Sequence, residues 1–386
     1  LPKLYSLTLT HLHLITLSTN TPCMSAFEGL SLSEVASLIV ANGHGILAAD
    51  ESTGTMGKRL GGVDMQNTYD NRMSYRSVIL GDPSTAAPYI GGVILYEETL
   101  QSSIDGVPVP QLLADAGIVP GIKVDLGLSP LWDNVSDTDQ EKVTMGQDNL
   151  PQRLADYYKL GARFSKWRAL FRCVPEKGLP SDRAIREGAL RLARYAQMSQ
   201  AAGIVPIVEP EVLLEGGRTL DEAADINRRV WSRVFLELNA ARVDMSGMLL
   251  KPSFVLPGLW GEGEVDPEAV ASATLSTLAS VVPPAVPGIV FLSGGLTCPQ
   301  ATEYLQAINV LNNDTRQVPY KLSFSYGRAL QAPVLSSWAE GDKEMARQEF
   351  LTLARDNSLA CQGKLLVMVG EMEEMEEGED YTPSRM

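Results

Sequence analysis

The chain has 386 residues, 45% hydrophobic and 20% charged, enough to bury a large core and unlike the composition of a disordered protein. Its formal charge of −15 argues against non-specific binding to nucleic acid, which needs a basic face. Seven of those charges sit on Glu371, Glu373, Glu374, Glu376, Glu377, Glu379 and Asp380, leaving −8 elsewhere, so the body is only mildly acidic.

Residues 1–27 contain no Asp or Glu and are rich in Thr, Ser and Leu. They read as a disordered leader ahead of Met24 or as the remnant of an organelle transit segment, and the absence of Arg favours the leader. From there short apolar runs alternate with segments of helical periodicity such as 185–202 and 221–240, the pattern of a parallel sheet. In order the runs are 45–50 (GILAAD), 91–97 (GGVILYE), 120–125 (PGIKVD), 162–168 (ARFSKWR), 204–211 (IVPIVEPE), 247–253 (GMLLKPS), 288–295 (GIVFLSGG) and 321–327 (KLSFSYG). Length alone would admit two or three domains. Eight runs spaced for βα units instead predict one α/β fold, a single (β/α)8 TIM barrel over 28–364, with 365–386 as an atypical, solvated acidic tail.

Most runs carry an ionisable or hydroxyl side chain near the C-terminal end: Asp50, Glu97, Lys123, Lys166 with Arg168, Glu209 with Glu211, Lys251, Ser293, and Arg328 just past the last. Any one could mark a strand entering solvent. In a barrel, however, these ends converge on the face where active sites are built. Lysines among buried aliphatics are costly unless paired or functional, so Lys166 and Lys251 need a reason.

A lysine attacks a carbonyl only when its amine is freed by burial or by a neighbouring cation. Lys251 has apolar neighbours in LLKP, and Lys166 or Arg168 can supply the cation. An iminium formed there is an electron sink for the carbanion left when a carbon–carbon bond breaks. Glu209 and Glu211, two apart on one strand, face the same way and offer a general acid and base, although EPE could also be a strand end with solvated carboxylates. Two candidate phosphate sites flank them. One combines Ser293, Gly294 and Gly295 with Ser325, Gly327 and Arg328, where glycine admits backbone N–H groups and arginine grips an anion with two. The other is ADESTGTMGKR (49–59), where Ser52 and Thr55 surround a glycine before Arg59; a plain helix cap fits it equally well.

Cys23, Cys173, Cys298 and Cys361 form no Cys-x-x-Cys and no cluster with histidine, so they read as free thiols in a reducing compartment, with no metal site. No apolar run reaches the roughly 18 residues of a membrane span.

Together the motifs GILAADESTGT, GIKVD, KWR, IVPIVEPE, LLKP, FLSGG, FSYGRALQ and NSLACQGK, in this order over about 24–364, resemble class I fructose-bisphosphate aldolases. The resemblance implies that Lys251 forms the Schiff base, Glu209 donates and accepts the proton for it, and Asp50 takes the C4 hydroxyl proton. It also implies that Lys166 stabilises nearby charge and Glu211 supports Lys251. By the same resemblance Ser293, Gly294 and Arg328, with Gly295, Ser325 and Gly327 beside them, hold the C1 phosphate, and Ser52, Thr55, Arg59 and Lys123 hold the C6 phosphate. Arg72 and Arg168 match further substrate-binding positions. No cofactor or metal, a sugar bisphosphate as the small-molecule partner, no nucleic acid or membrane partner, a homotetramer, and a cytoplasmic or alternatively plastid location follow from it.

Three positions stand out against the family pattern. Thr55 keeps a hydroxyl, and Leu126 stands where lysine is common. In the third, LLVMVGEMEEMEEGED separates Lys364 from Tyr381 where the family runs straight into YTPS and ends in a tyrosine that completes proton transfer at C3. The expectation is slow enamine protonation and little effect of deleting 365–386. The alternatives are a Schiff-base barrel acting on a monophosphate, which would have one phosphate site, and a barrel kept for binding alone, against which Lys251, Lys166, Glu209 and Asp50 argue.

Overall fold

The computed structural model describes residues 25–132, 140–258 and 265–365. Of the segment 1–27 read as a disordered leader, residues 1–24, with Cys23, lie outside them, as does the tail beyond 365, with Tyr381. Ser25–Phe27 instead form a short helical turn whose Phe27 is buried in the same cluster as Val35, Ala36 and Ile39. Eight parallel strands close into a barrel: β1 Gly45–Ala49, β2 Ile90–Leu95, β3 Val119–Lys123, β4 Phe164–Phe171, β5 Val205–Val212, β6 Leu249–Leu250, β7 Gly288–Phe291 and β8 Lys321–Tyr326. Each pairs with its neighbour in sequence, and β8 pairs back onto β1 with Ser325 opposite Ile46. The single (β/α)8 barrel predicted from the run spacing is the fold.

The longer helices are α1 Leu32–Ile39, α2 Thr53–Gly61, α3 Tyr69–Leu80, α4 Val109–Asp115, α5 Leu150–Lys159, α6 Asp182–Ala201, α7 Leu220–Ala240, α8 Pro267–Val281, α9 Cys298–Thr315, α10 Arg328–Ala339 and α11 Lys343–Ala360. Their starts are chemically marked. Ser31, Thr219 and Thr297 each form a reciprocal capping box with the residue three further on, satisfying two backbone N–H groups that lack helical partners. In α6 the buried Ile185, Ala189, Leu192, Ala193 and Ala196 recur at helical spacing and form one stripe against the sheet. No described helix is long and apolar enough to cross a membrane.

Side chains alternate across each strand. Ile46, Ala48, Ile94, Phe164, Val205, Ile207, Leu249 and Val290 form an apolar interior, closed below by Val35, Ala36 and Ile39 of α1. Continuing the same alternation upward on β4 and β5 brings Lys166 and Arg168, then Glu209 and Glu211, to the upper end of that interior.

The strand ends differ from the sequence runs where chemistry intervenes. β4 continues to Phe171 because it stays paired to β5 through Val212. β6 is cut to two residues: the Lys251 N–H still bonds Val208, but Pro252 has no N–H to extend the ladder. Glu97 is not on the rim, since it opens the short helix Glu97–Leu100 and accepts from the Tyr157 hydroxyl at 3.2 Å.

Candidate active site

The C-terminal ends of the strands surround a cavity of about 430 Å³. Asp50, Ser52, Thr55, Arg59, Lys123, Lys166, Arg168, Glu209, Glu211, Lys251, Ser293, Gly294, Ser325, Gly327 and Arg328 all line it. Two predicted residues do not. Arg72 is on α3 and outside the cleft, its guanidinium bonded twice to Glu98 and once to the Asn67 side chain at 2.9 Å, which holds it in place there. Gly295 takes φ 95, making the turn beyond Gly294 without itself lining the wall.

At the floor Lys166 is the hub. Its Nζ lies 2.7 Å from Asp50, 3.4 Å from Glu209 and 3.9 Å from Asp125. Glu209 reaches the other way with Oε1, 3.2 Å from Lys251 Nζ, so one carboxylate bridges the two lysines. Lys166, Glu209, Asp125 and Lys251 are nearly withdrawn from water, where unpaired charges would be prohibitive, and Asp50 is only slightly more exposed. Burial by itself opposes ionisation of Asp50, but the ammonium groups of Lys166, Lys251 and Lys123 outweigh it and hold the carboxyl well below the usual carboxylate range. Burial likewise works against the Lys166 charge, and Asp50, Glu209 and Asp125 overcome it and push that ammonium far up. Glu209 is lowered by Lys166, Lys251 and Arg168 against its own burial and against the Asp50 charge. Arg168 is ion-paired to Glu211, which fixes the next layer of the wall.

Lys123 and Lys166 are direct partners across β3 and β4, an unfavourable pairing of like charges. Asp125 relieves it: one oxygen accepts from Lys123 at 2.7 Å and the other faces Lys166. Asp125 and Glu51 are cleft residues that the sequence reading assigned no role. The signal for Asp125 was its place two residues after Lys123 in GIKVD. Glu51 gave none, because it acts through tertiary partners: it is buried, ion-paired to both Arg59 and Arg76, and accepts from Gln331 at 3.2 Å.

The residues read in the sequence as two phosphate sites flank the lysines. Ser52 is the N-cap of α2, its hydroxyl accepting from the Thr55 N–H at 3.3 Å, so the capping reading and the cleft position hold together. Helix N-termini favour negative charge. Opposite, Ser293 and Gly294 follow β7, and Arg328 begins α10 directly after β8. Ser325 Oγ is buried without a hydrogen-bond partner on this wall. The Arg59 guanidinium leans across, 3.7 Å from where a Cβ on Gly327 would be. Cys173, Cys298 and Cys361 are free thiols outside the cleft, and no His, Cys, Asp or Glu group suited to a metal occurs among the described residues.

The family model described as fructose-bisphosphate aldolase class-I matches residues 31–383. The chain is 46% identical over 337 residues to fructose-bisphosphate aldolase 2 of Plasmodium berghei, covering 86% of this chain and 89% of that one. It is 46% identical over 350 residues to the chloroplastic fructose-bisphosphate aldolase 3 of Arabidopsis thaliana (90% and 86%), and 44% identical over 347 residues to the cytoplasmic isozyme of Spinacia oleracea (88% and 94%). A solved fructose-bisphosphate aldolase from Plasmodium falciparum, in complex with TRAP and a small-molecule inhibitor, superposes with a TM-score of 0.82 at 43% identity, covering 87% of this chain and 95% of that one.

Proposed function

Because the chain belongs to the class-I fructose-bisphosphate aldolase family, we propose that Lys251 is the amine through which it works and that the residues around it divide the proton transfers. The activity is the reversible cleavage of fructose 1,6-bisphosphate to dihydroxyacetone phosphate and glyceraldehyde 3-phosphate through a lysine Schiff base, a carbon–carbon lyase reaction of glycolysis. The observation that carries the residue assignment is the Glu209 bridge, 3.2 Å to Lys251 and 3.4 Å to Lys166.

Glu209, held as a carboxylate, takes a proton from the Lys251 ammonium and frees the amine to add to the C2 carbonyl. The same carboxyl returns the proton to the carbinolamine hydroxyl, which leaves as water and gives the iminium. Asp50, kept ionised by its lysines, removes the C4 hydroxyl proton. The C3–C4 bond breaks, its electron pair passes into the iminium to form an enamine, and the aldehyde departs. Protonation of the enamine at C3 and hydrolysis release dihydroxyacetone phosphate and restore Lys251. Lys166 balances Asp50 and Glu209 as their charges change, and Glu211 keeps Arg168 in the wall.

Ser293, Gly294, Ser325, Gly327 and Arg328 hold the C1 phosphate, and Ser52, Thr55 and Lys123 the C6 phosphate. Arg59 reaches toward Gly327 and adds charge between the two. The cytoplasm is the location this reading favours and the plastid the alternative, a cytoplasmic and a chloroplastic relative matching the chain at similar identity. A homotetramer is the assembly it favours, supported by the exposed Leu126, Leu128 and Met145 gathered on one hairpin, and sedimentation analysis at the protein's working concentration tests it.

The test of the site is reduction with borohydride in the presence of dihydroxyacetone phosphate, followed by peptide mass mapping. The adduct is expected on Lys251 and nowhere else. Lys251→Arg, whose guanidinium stays protonated, is expected to abolish both adduct and turnover. Activity within about tenfold of the parent, where losing a nucleophile costs several orders of magnitude, would refute the assignment.

A further inference from the structure

At the end of the barrel away from the cleft lies a second cavity, about 740 Å³ against the cleft's 430 Å³. It opens between the turn Ala41–Gly43, the start of β8 and the C-terminal ends of α9 and α11. Three cationic side chains line it, Arg316, Lys321 and Lys364, and among the described residues no carboxylate does. That is unexpected in a chain of net charge −15. Arg316 and Lys321 make no ion pair among the described residues, and Lys364 reaches only the Gln362 side chain, at 3.1 Å.

Cations near helix C-termini offset the helix dipole, which accounts for Arg316 after α9 and Lys364 after α11. It does not account for Lys321, which opens a strand, nor for three cations converging on one cavity with no counter-charge among the described residues. Arg316 also holds φ 55, a conformation that favours glycine, so a long charged side chain is kept where the backbone would be more stable with none. Tyr320, on the same wall, has a buried hydroxyl with no hydrogen-bond partner. Asn42 and Asn313 add amide donors and acceptors.

We propose that this cavity is an anion site separate from the catalytic cleft, taking a small polyanion of the pyrophosphate kind, larger or more highly charged than a single phosphate. Arg316 supplies a two-pronged grip, and Lys321 and Lys364 supply point charges on either side. The chain's own carboxylates are a competing source of the same charge, since Glu371 follows Lys364 by seven residues and begins the acidic run.

The experiment uses the full chain with Ser52→Ala and Lys123→Gln to remove the C6 phosphate position, and with Lys251 and the C1 position filled by borohydride reduction onto dihydroxyacetone phosphate, the adduct verified by mass before any anion is added. A missing adduct bears on the Lys251 assignment, and only the later titration bears on the cavity. Titration calorimetry with inorganic pyrophosphate is expected to show one site per chain. The double change Arg316→Gln with Lys321→Gln is expected to weaken it about tenfold or more, the loss of charge-assisted hydrogen bonds, with substrate KM unmoved. Lys159→Gln, on an exposed face of α5, is expected to leave binding as it was. A chain ending at Leu365 binds pyrophosphate more tightly if the acidic run competes for the cavity and equally if it does not. No binding to the filled chain, or binding indifferent to the Arg316 and Lys321 changes, overturns the proposal.

Discussion

Asp50 shows how a single side chain ties catalysis to stability. Its carboxyl is held below its ordinary 3.8 by three lysines acting against burial, so the unfolded chain binds the proton more readily than the folded one. The stability it contributes is therefore complete above the unfolded value and is lost as pH falls through 3.8 toward the folded value. Asp50→Asn removes that dependence: its melting temperature is expected to fall less steeply than the parent's between about pH 6 and pH 3. Parallel curves would show that Asp50 is not held ionised in the fold. At the rim, Arg328→Ala is expected to raise KM for the bisphosphate about tenfold to a hundredfold, as a charge-assisted pair worth roughly 1.5–3 kcal/mol is lost, and an unmoved KM would place the C1 phosphate elsewhere. Lys166, Lys251 and Glu209 were legible in sequence because a charge in a run of aliphatics announces its own cost. Glu51 was not, because its meaning lies in Arg59, Arg76 and Gln331, brought to it from α2, α3 and α10.

At the scale of the strands, the barrel reads cleanly where alternation governs and less so where a neighbour decides. β4 and β5 carry apolar residues below and charges above in register, Arg168 opposite Glu209, so their period-2 pattern was visible in one dimension. The end of β6 depended on Pro252, and the departure of Glu97 from the rim depended on a short helix that the run GGVILYE did not signal. Packing within the barrel is also hidden in sequence: Gly92 and Gly121 make room for the Phe164 ring, and a Cβ on Gly121 would overlap it. Gly121→Ala is expected to destabilise the fold by about 1–3 kcal/mol, the cost of overpacking, read as a lower urea midpoint. Adding Phe164→Leu is expected to recover part of it. If the double change is as unstable as the sum of the singles, the two residues do not share that space.

For the molecule as a whole, iminium chemistry supplies the electron sink that a metal would otherwise provide, so dialysis against EDTA is expected to leave turnover intact. Loss on chelation with recovery on adding zinc would contradict that. The barrel also has a seam, where β8 lies against β1. Asp50 and Ser52 stand on one side of it, and Ser325 and Arg328 on the other, from nearly opposite ends of the chain. During synthesis the ribosome therefore delivers both lysines and their carboxylates long before the second half of the phosphate grip. An incomplete chain carries Lys251 but lacks Arg328, to which we assign the C1 phosphate. Until Tyr326 has emerged, β1 also keeps an unpaired edge of backbone N–H and C=O groups, open to any extended segment of a neighbouring nascent chain. The last strand thus does two things at once, sealing that edge and completing the cleft, and a polypeptide abandoned earlier in translation has neither protection nor catalytic use.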